Sequence, residues 1–237
     1  MKYKWLNRGK NNKIILFFNG WGMDKNVVNH LDSEDYDVLM FYDYNSLDTD
    51  FDFELLEAYY EKNLIAWSMG VMVATKILPL TRHFVTPSSA RGEGMGLQAG
   101  NLSTCVAPPA RGEGIKVAIN GTLRPIDEKY GIHPKIYDLT IKGFNKKGRE
   151  RFISSMFDAN LTSQSFPLER EIKEQHTELI ALKNYQANIS FRYNKIFISD
   201  NDKIIPTKSQ VAFWGIEPNI KGGHCPFFQF SKWSELL

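Results

Sequence analysis

The run Asn63-Leu64-Ile65-Ala66-Trp67 leads straight into Ser68-Met69-Gly70-Val71-Met72-Val73-Ala74, and this junction constrains the fold more than any other part of the chain. The apolar run reads as a buried strand, Ser-Met-Gly as a sharp bend, and the apolar residues after it as a helix packed back on the strand. Such a strand–turn–helix lifts a serine hydroxyl to the C-terminal edge of a parallel sheet. There a base can reach it, and the Met69 amide can face a substrate. The pattern departs from G-x-S-x-G only at Ala66, and alanine is the next smallest side chain where strand and helix pack closely.

Two later segments supply partners for that serine. Ile196-Phe197-Ile198-Ser199-Asp200-Asn201-Asp202 is an apolar strand ending in an acidic turn, which sets a carboxylate at the same sheet edge. Asp202 is the preferred acid and Asp200 its rival, since both also suit ordinary turn chemistry. Gly222-Gly223-His224-Cys225-Pro226 is a tight loop able to carry an imidazole over that edge. Of the five histidines, only His224 follows the acid in the chain. Serine, acid and histidine therefore occur in the order used by α/β-hydrolases. A second oxyanion donor belongs on the loop after an early strand, and Lys13 to Phe18 followed by Asn19-Gly20-Trp21-Gly22 fits, with the Trp21 amide as the expected donor.

Asn19-Gly20-Trp21-Gly22, Ala66-Trp67-Ser68-Met69-Gly70, Ile119-Asn120-Gly121-Thr122 with Pro125-Ile126-Asp127 and Tyr130-Gly131-Ile132, and Gly223-His224-Cys225-Pro226-Phe227 together resemble the carrier-protein-linked pimeloyl methyl ester esterases of biotin synthesis, of the BioG type. The likeness extends over most of the chain outside residues near 80 to 115. It implies an α/β-hydrolase fold, a Ser68-Asp202-His224 triad and an oxyanion hole from the amides of Trp21 and Met69. It also implies hydrolysis of the methyl ester of a pimeloyl group held on acyl-carrier protein. A general carboxylesterase or acyl thioesterase shares the triad, and a non-catalytic protein on the same scaffold is the third reading.

The remaining sequence is read around this site. Strands are expected near 13–18, 36–42, 63–67, 115–119 and 193–199, in a mostly parallel sheet flanked by helices. Residues 123–190 lack strand signals and are expected to form a small helical lid, with helices near Arg149 to Met156 and Leu168 to Tyr185. Trp21, Trp67, Asn120, Phe144 and Phe157 are candidate substrate-binding residues. Lys142, Lys146, Lys147, Arg149 and Arg151 are candidate contacts for an acidic carrier protein. Ala-Arg-Gly-Glu-Gly occurs at 90–94 and again at 110–114, and the surrounding 81–114 is read as a disordered low-complexity insert within a single domain, 1–237.

Composition narrows the classes further. A net charge of +2 and the lack of basic–aromatic interleaving argue against nucleic acid as a partner. No run approaches the roughly 20 apolar residues of a membrane span, and the first residues lack a signal-peptide core, so a cytoplasmic protein is expected. Two cysteines make no disulfide framework, and no metal-ligand or phosphate-loop spacing occurs, so no cofactor is expected. Cys225 is read as a small packing residue despite its place beside His224.

Overall fold

The computed structural model describes residues 1–9, 11–78, 113–157 and 168–237. Among them the sheet has six strands: β1 (Lys2–Asn7), β2 (Lys13–Phe18), β3 (Tyr36–Tyr42), β4 (Glu61–Trp67), β5 (Glu113–Ile119) and β6 (Lys195–Phe197). Their spatial order is β1-β3-β2-β4-β5-β6, and all neighbours are parallel except β1 with β3. The helices are α1 (Met69–Ile77), α2 (Pro134–Gly143), α3 (Lys146–Ser155), α4 (Ile172–Leu182) and α5 (Thr207–Trp214). No described helix is long and apolar enough to cross a membrane.

The central strands read as continuous apolar runs because both faces of the sheet are covered. Ile14, Leu16 and Phe18 of β2 join Leu64 and Ala66 of β4 in one core with α1, while Ile15, Phe17, Ile65 and Trp67 point into the other. The pairing Leu16↔Leu64 and Phe17↔Ile65 keeps these sets in step, since a one-residue slip would reverse every side chain. The first core is closed by α1, with Leu179 and Leu182 of α4 joining it. The second is closed largely by short 3-10 turns, Lys25–Val27, Phe227–Gln229 and Trp233–Leu236, which bury Val27, Phe227, Trp233 and Leu236.

Three sequence expectations change in detail. β1 carries no strong strand signal, yet it pairs antiparallel with β3 as an edge, with Lys2 and Lys4 exposed. The expected strand at 193–199 shortens to three residues, because Ile198 already hydrogen-bonds to Asn219 and Ile220 in the turn beyond. The expected helix from Leu168 shortens to α4, since Arg170 turns inward to an ion pair with Glu178. Residues 79–112, and so the insert at 81–114 up to the start of β5, lie outside the described residues.

Order and direction locate the functional edge. From β2 the chain moves to β3 on one side, and β4 lies on the other, so the loops after β2 and β4 open a crevice at the C-terminal edge. Open α/β sheets bind ligands at such a reversal of strand order. Loops after β5 and β6 border the same edge.

Candidate active site

Ser68 stands at the bend between β4 and α1 with φ 58° and ψ −125°, a backbone region that costs a non-glycine residue about 1–3 kcal/mol. The surroundings hold it there: its amide donates to Ile119 O at 2.9 Å, and its carbonyl accepts from Val71 N at 3.1 Å. Gly70 lets the helix start this close to β2. A Cβ at that position would lie 2.3 Å from Phe18 O and 2.7 Å from Asn19 O.

His224 Nε2 is 2.8 Å from Ser68 Oγ, and its Nδ1 is 2.7 Å from Asp202 Oδ2. The ring is 1% exposed. A carboxylate only accepts, so Nδ1 carries the proton toward Asp202 and Nε2 keeps a lone pair for the serine hydroxyl. Asp202 is held by more than the histidine. Its Oδ1 accepts from the Ile204 and Ile205 amides at 2.8 and 3.1 Å, and Oδ2 accepts from Gln210 Nε2 at 2.8 Å. The rival Asp200 faces outward, pairs with Lys221 at 2.8 Å and accepts from the Gly222 amide. The Lys221 hydrogen bond holds the Asp200 carboxyl below the usual carboxylate range.

The loop after β2 leaves one of its early amides unused. Gly20 N donates to Asn19 Oδ1, Gly22 N to Glu178 Oε2 and Met23 N to Gly20 O. Among the described residues the Trp21 amide has no acceptor, and neither has the Met69 amide at the first turn of α1. Met69 directly follows Ser68, and Trp21 lies just beyond the end of β2, the strand beside β4, so both N–H groups belong to the segments that leave the same sheet edge as the serine.

Above them lies a cavity of about 470 Å³ lined by Ser68, Met69, His224, Trp21, Trp67 and Phe144, together with Ile132, Ile136, Tyr137, Leu139, Phe152, Met156, Leu179 and Ile204. That volume suits a small, mostly apolar ligand. Three of the five predicted substrate-binding residues, Trp21, Trp67 and Phe144, therefore line it. Trp21 packs between Phe144, tilted at 60°, and Phe152, edge-on at 68°, with ring centroids 5.0 and 4.7 Å away.

The other two are placed elsewhere. Asn120, with φ 45°, is fully buried and ties loops together: Nδ2 donates to Ser199 Oγ at 2.7 Å and to His224 O at 2.9 Å, while Oδ1 accepts from the Ser199 amide. It thus binds the acid loop to the histidine loop and does not line the cavity. Phe157 packs in the second core beside Phe228.

The predicted basic residues also divide. Lys142, at the end of α2, and Lys146 and Lys147, at the start of α3, are exposed. Arg149 donates to Leu168 O at 3.1 Å, so it fastens the chain beyond α3. Arg151 lines the cavity and also, with Lys147 and Lys203, an adjoining open depression. Lys203 was not anticipated, although it directly follows the acid. Gln210 also escaped the sequence reading; only its place one turn into α5, after Pro206, hinted that it could turn back on Asp202. Cys225 sits in the second core, where burial pushes its thiol up to about 12.

A family profile described as "Pimeloyl-ACP methyl esterase BioG" matches residues 1–101 and 111–236. The crystal structure of BioG from Haemophilus influenzae superposes with a TM-score of 0.76 at 30% identity, covering 100% of this chain and 99% of that one. A chain described as an aryl esterase from Burkholderia cenocepacia shares the fold at TM-score 0.59 and 13% identity, over 96% of this chain and 88% of that one. A malonyl-[acyl-carrier protein] O-methyltransferase from Bacteroides fragilis is 31% identical over 208 residues, 85% of this chain but only 36% of that protein, so the chain spans about a third of that relative. A mostly parallel sheet with a serine at its central bend, in a chain matched by this profile along nearly its full length, identifies an α/β-hydrolase that belongs to the BioG family of esterases.

Proposed function

We propose that the chain is a serine esterase that hydrolyses the methyl ester of pimeloyl-[acyl-carrier protein], releasing methanol and the free carboxylate. The observation that carries this reading is the unbroken hydrogen-bond chain from Asp202 through His224 to Ser68 at the floor of an apolar cavity. Ser68 Oγ attacks the ester carbonyl as its proton passes to His224 Nε2, and Asp202 offsets the imidazolium charge. The oxyanion is held by the amides of Trp21 and Met69. Methoxide leaves as methanol with the proton from His224, and a water activated by the same nitrogen cleaves the pimeloyl-serine ester. No cofactor is required by these steps.

The family membership favours the pimeloyl substrate. The Bacteroides fragilis relative bears the name of an enzyme that methylates a carrier-bound acid, the reverse change at the same kind of bond. In this reading residues 123–157 and 168–190 act as a helical lid on a single domain, the remainder of the expected lid, 158–167, lying outside the described residues; Lys142, Lys146, Lys147 and Arg151 face an acidic carrier protein, and the enzyme works in the cytoplasm. The test is methanol release from methyl pimeloyl-carrier protein beside short aryl esters, with Ser68→Ala as control. Serine-dependent release that strongly prefers the carrier-linked ester supports the reading. Turnover of small esters alone would favour a general esterase.

A further inference from the structure

Glu178 is a fully buried carboxylate that no proton transfer above employs. It lies on α4, yet its partners come from three other places. Oε2 accepts from Arg170 Nη1 at 2.6 Å and from the Gly22 amide at 3.2 Å, and Oε1 accepts from the Tyr44 amide at 2.9 Å. One side chain thereby joins the loop after β2 to the loop after β3. Arg170 also reaches Asp43 Oδ1 at 3.1 Å, so the buried charges form a cluster rather than a lone pair.

Gln175, one turn earlier on α4, grips the same loop. Its side-chain Nε2 donates to Gly22 O at 2.6 Å, and its main-chain carbonyl accepts from Trp21 Nε1 at 2.8 Å. Gly22 needs its positive φ of 72° to present both polar groups to α4. The dipeptide is thus held at the Trp21 indole, the Gly22 amide and the Gly22 carbonyl, all from one helix. The group left over is the Trp21 amide.

Burying a carboxylate costs several kcal/mol unless donors surround it, and here burial pushes the Glu178 carboxyl upward against the opposing pull of Arg170. Three well-placed donors make the site stiff. Stiffness matters because an oxyanion donor works only when aimed within a few tenths of an ångström.

We propose that Glu178 and Gln175 are positioning residues of the oxyanion hole, fixing Trp21-Gly22 so that the Trp21 amide is aimed at the developing charge. The inference rests on the serine-esterase reading above. Neither residue touches substrate; each acts through the loop.

The experiment compares Gln175→Met, which keeps side-chain length and leaves the ion cluster in place, with Glu178→Gln and Ser68→Ala. It measures hydrolysis of a short aryl ester, inhibition by phenylboronic acid, which forms a tetrahedral adduct on an active serine, and thermal melting. Removing an oxyanion donor outright costs on the order of 100- to 1,000-fold, so a misaimed one should lose part of that. The expected result for Gln175→Met is a folded protein with kcat lowered about 10- to 100-fold, KM within about twofold, and boronate affinity weakened by the same factor as kcat. A merely structural role would lower the melting temperature and leave kcat and boronate affinity of the folded protein unchanged. That outcome, with Ser68→Ala inactive, overturns the positioning inference and leaves the esterase reading standing. Full activity in Ser68→Ala overturns the esterase reading itself. If Glu178→Gln does not fold, Gln175→Met decides alone.

Discussion

Ser68 keeps an unfavourable backbone conformation because its neighbours leave the bend no other path. Replacing it with alanine removes the nucleophile without touching that backbone. Methanol release should fall by about 10⁴- to 10⁶-fold in Ser68→Ala and in His224→Ala, with unchanged circular dichroism. Asp202→Asn should cost about 10⁴-fold, since an amide at that place favours the wrong histidine tautomer. Gly70 tests the bend itself. A methyl group there meets Phe18 O at 2.3 Å, so Gly70→Ala should lower the urea midpoint by an amount equivalent to about 1–3 kcal/mol and reduce kcat as the serine shifts. Unchanged stability and turnover would mean that the packing is looser than these distances require.

Strands β2 to β5 were legible as apolar runs because both of their faces are covered. β1 was not, because an edge strand with lysines alternating outward looks like any polar segment. Asn120 was legible as a motif and misread in role: spacing cannot tell a side chain that meets substrate from one that joins two loops. Helix α3 separates its charges in a way composition did not. Arg149 is committed to Leu168 O and Arg151 lines the cavity, whereas Lys146 and Lys147 are exposed outside it. Lys146→Glu with Lys147→Glu should therefore raise KM for the carrier-protein ester about tenfold, an effect reduced by salt, and leave aryl-ester kinetics nearly unchanged, because exposed charges outside the cavity act mainly on encounter with a charged partner. Arg149→Glu should instead show as lost stability. Steady-state kinetics at low and high ionic strength, with melting curves, separate the two.

Across the fold as a unit, several proton-bearing groups lie buried on the two sides of the sheet. Burial raises Cys225 to about 12 and pushes Tyr44, Tyr137 and Tyr193 above the ordinary tyrosine value. A group raised in the folded state keeps a proton that the unfolded chain has released, so its stabilisation is complete below its ordinary pKa and is lost as pH rises. Chemical-denaturation stability should accordingly fall above about pH 9, with a slope reaching about 1.4 kcal/mol per pH unit for each group involved. Native Cys225 should resist iodoacetamide at pH 8 and react once urea unfolds the chain, as a mass shift would report. Local pattern was enough for the strand–turn–helix, the order serine, acid, histidine and the apolar strands, because these follow from spacing and side-chain size along neighbouring residues. Asp202 was preferred over Asp200 from the chain alone, but only the tertiary structure brings it to His224, ties two loops through Asn120, and sets Glu178 and Gln175 on the Trp21-Gly22 turn. Those pairings join residues 22 to 156 positions apart, and which of many acceptors a buried donor meets is set by the packing of the whole sheet and its helices, not by any local preference of the chain.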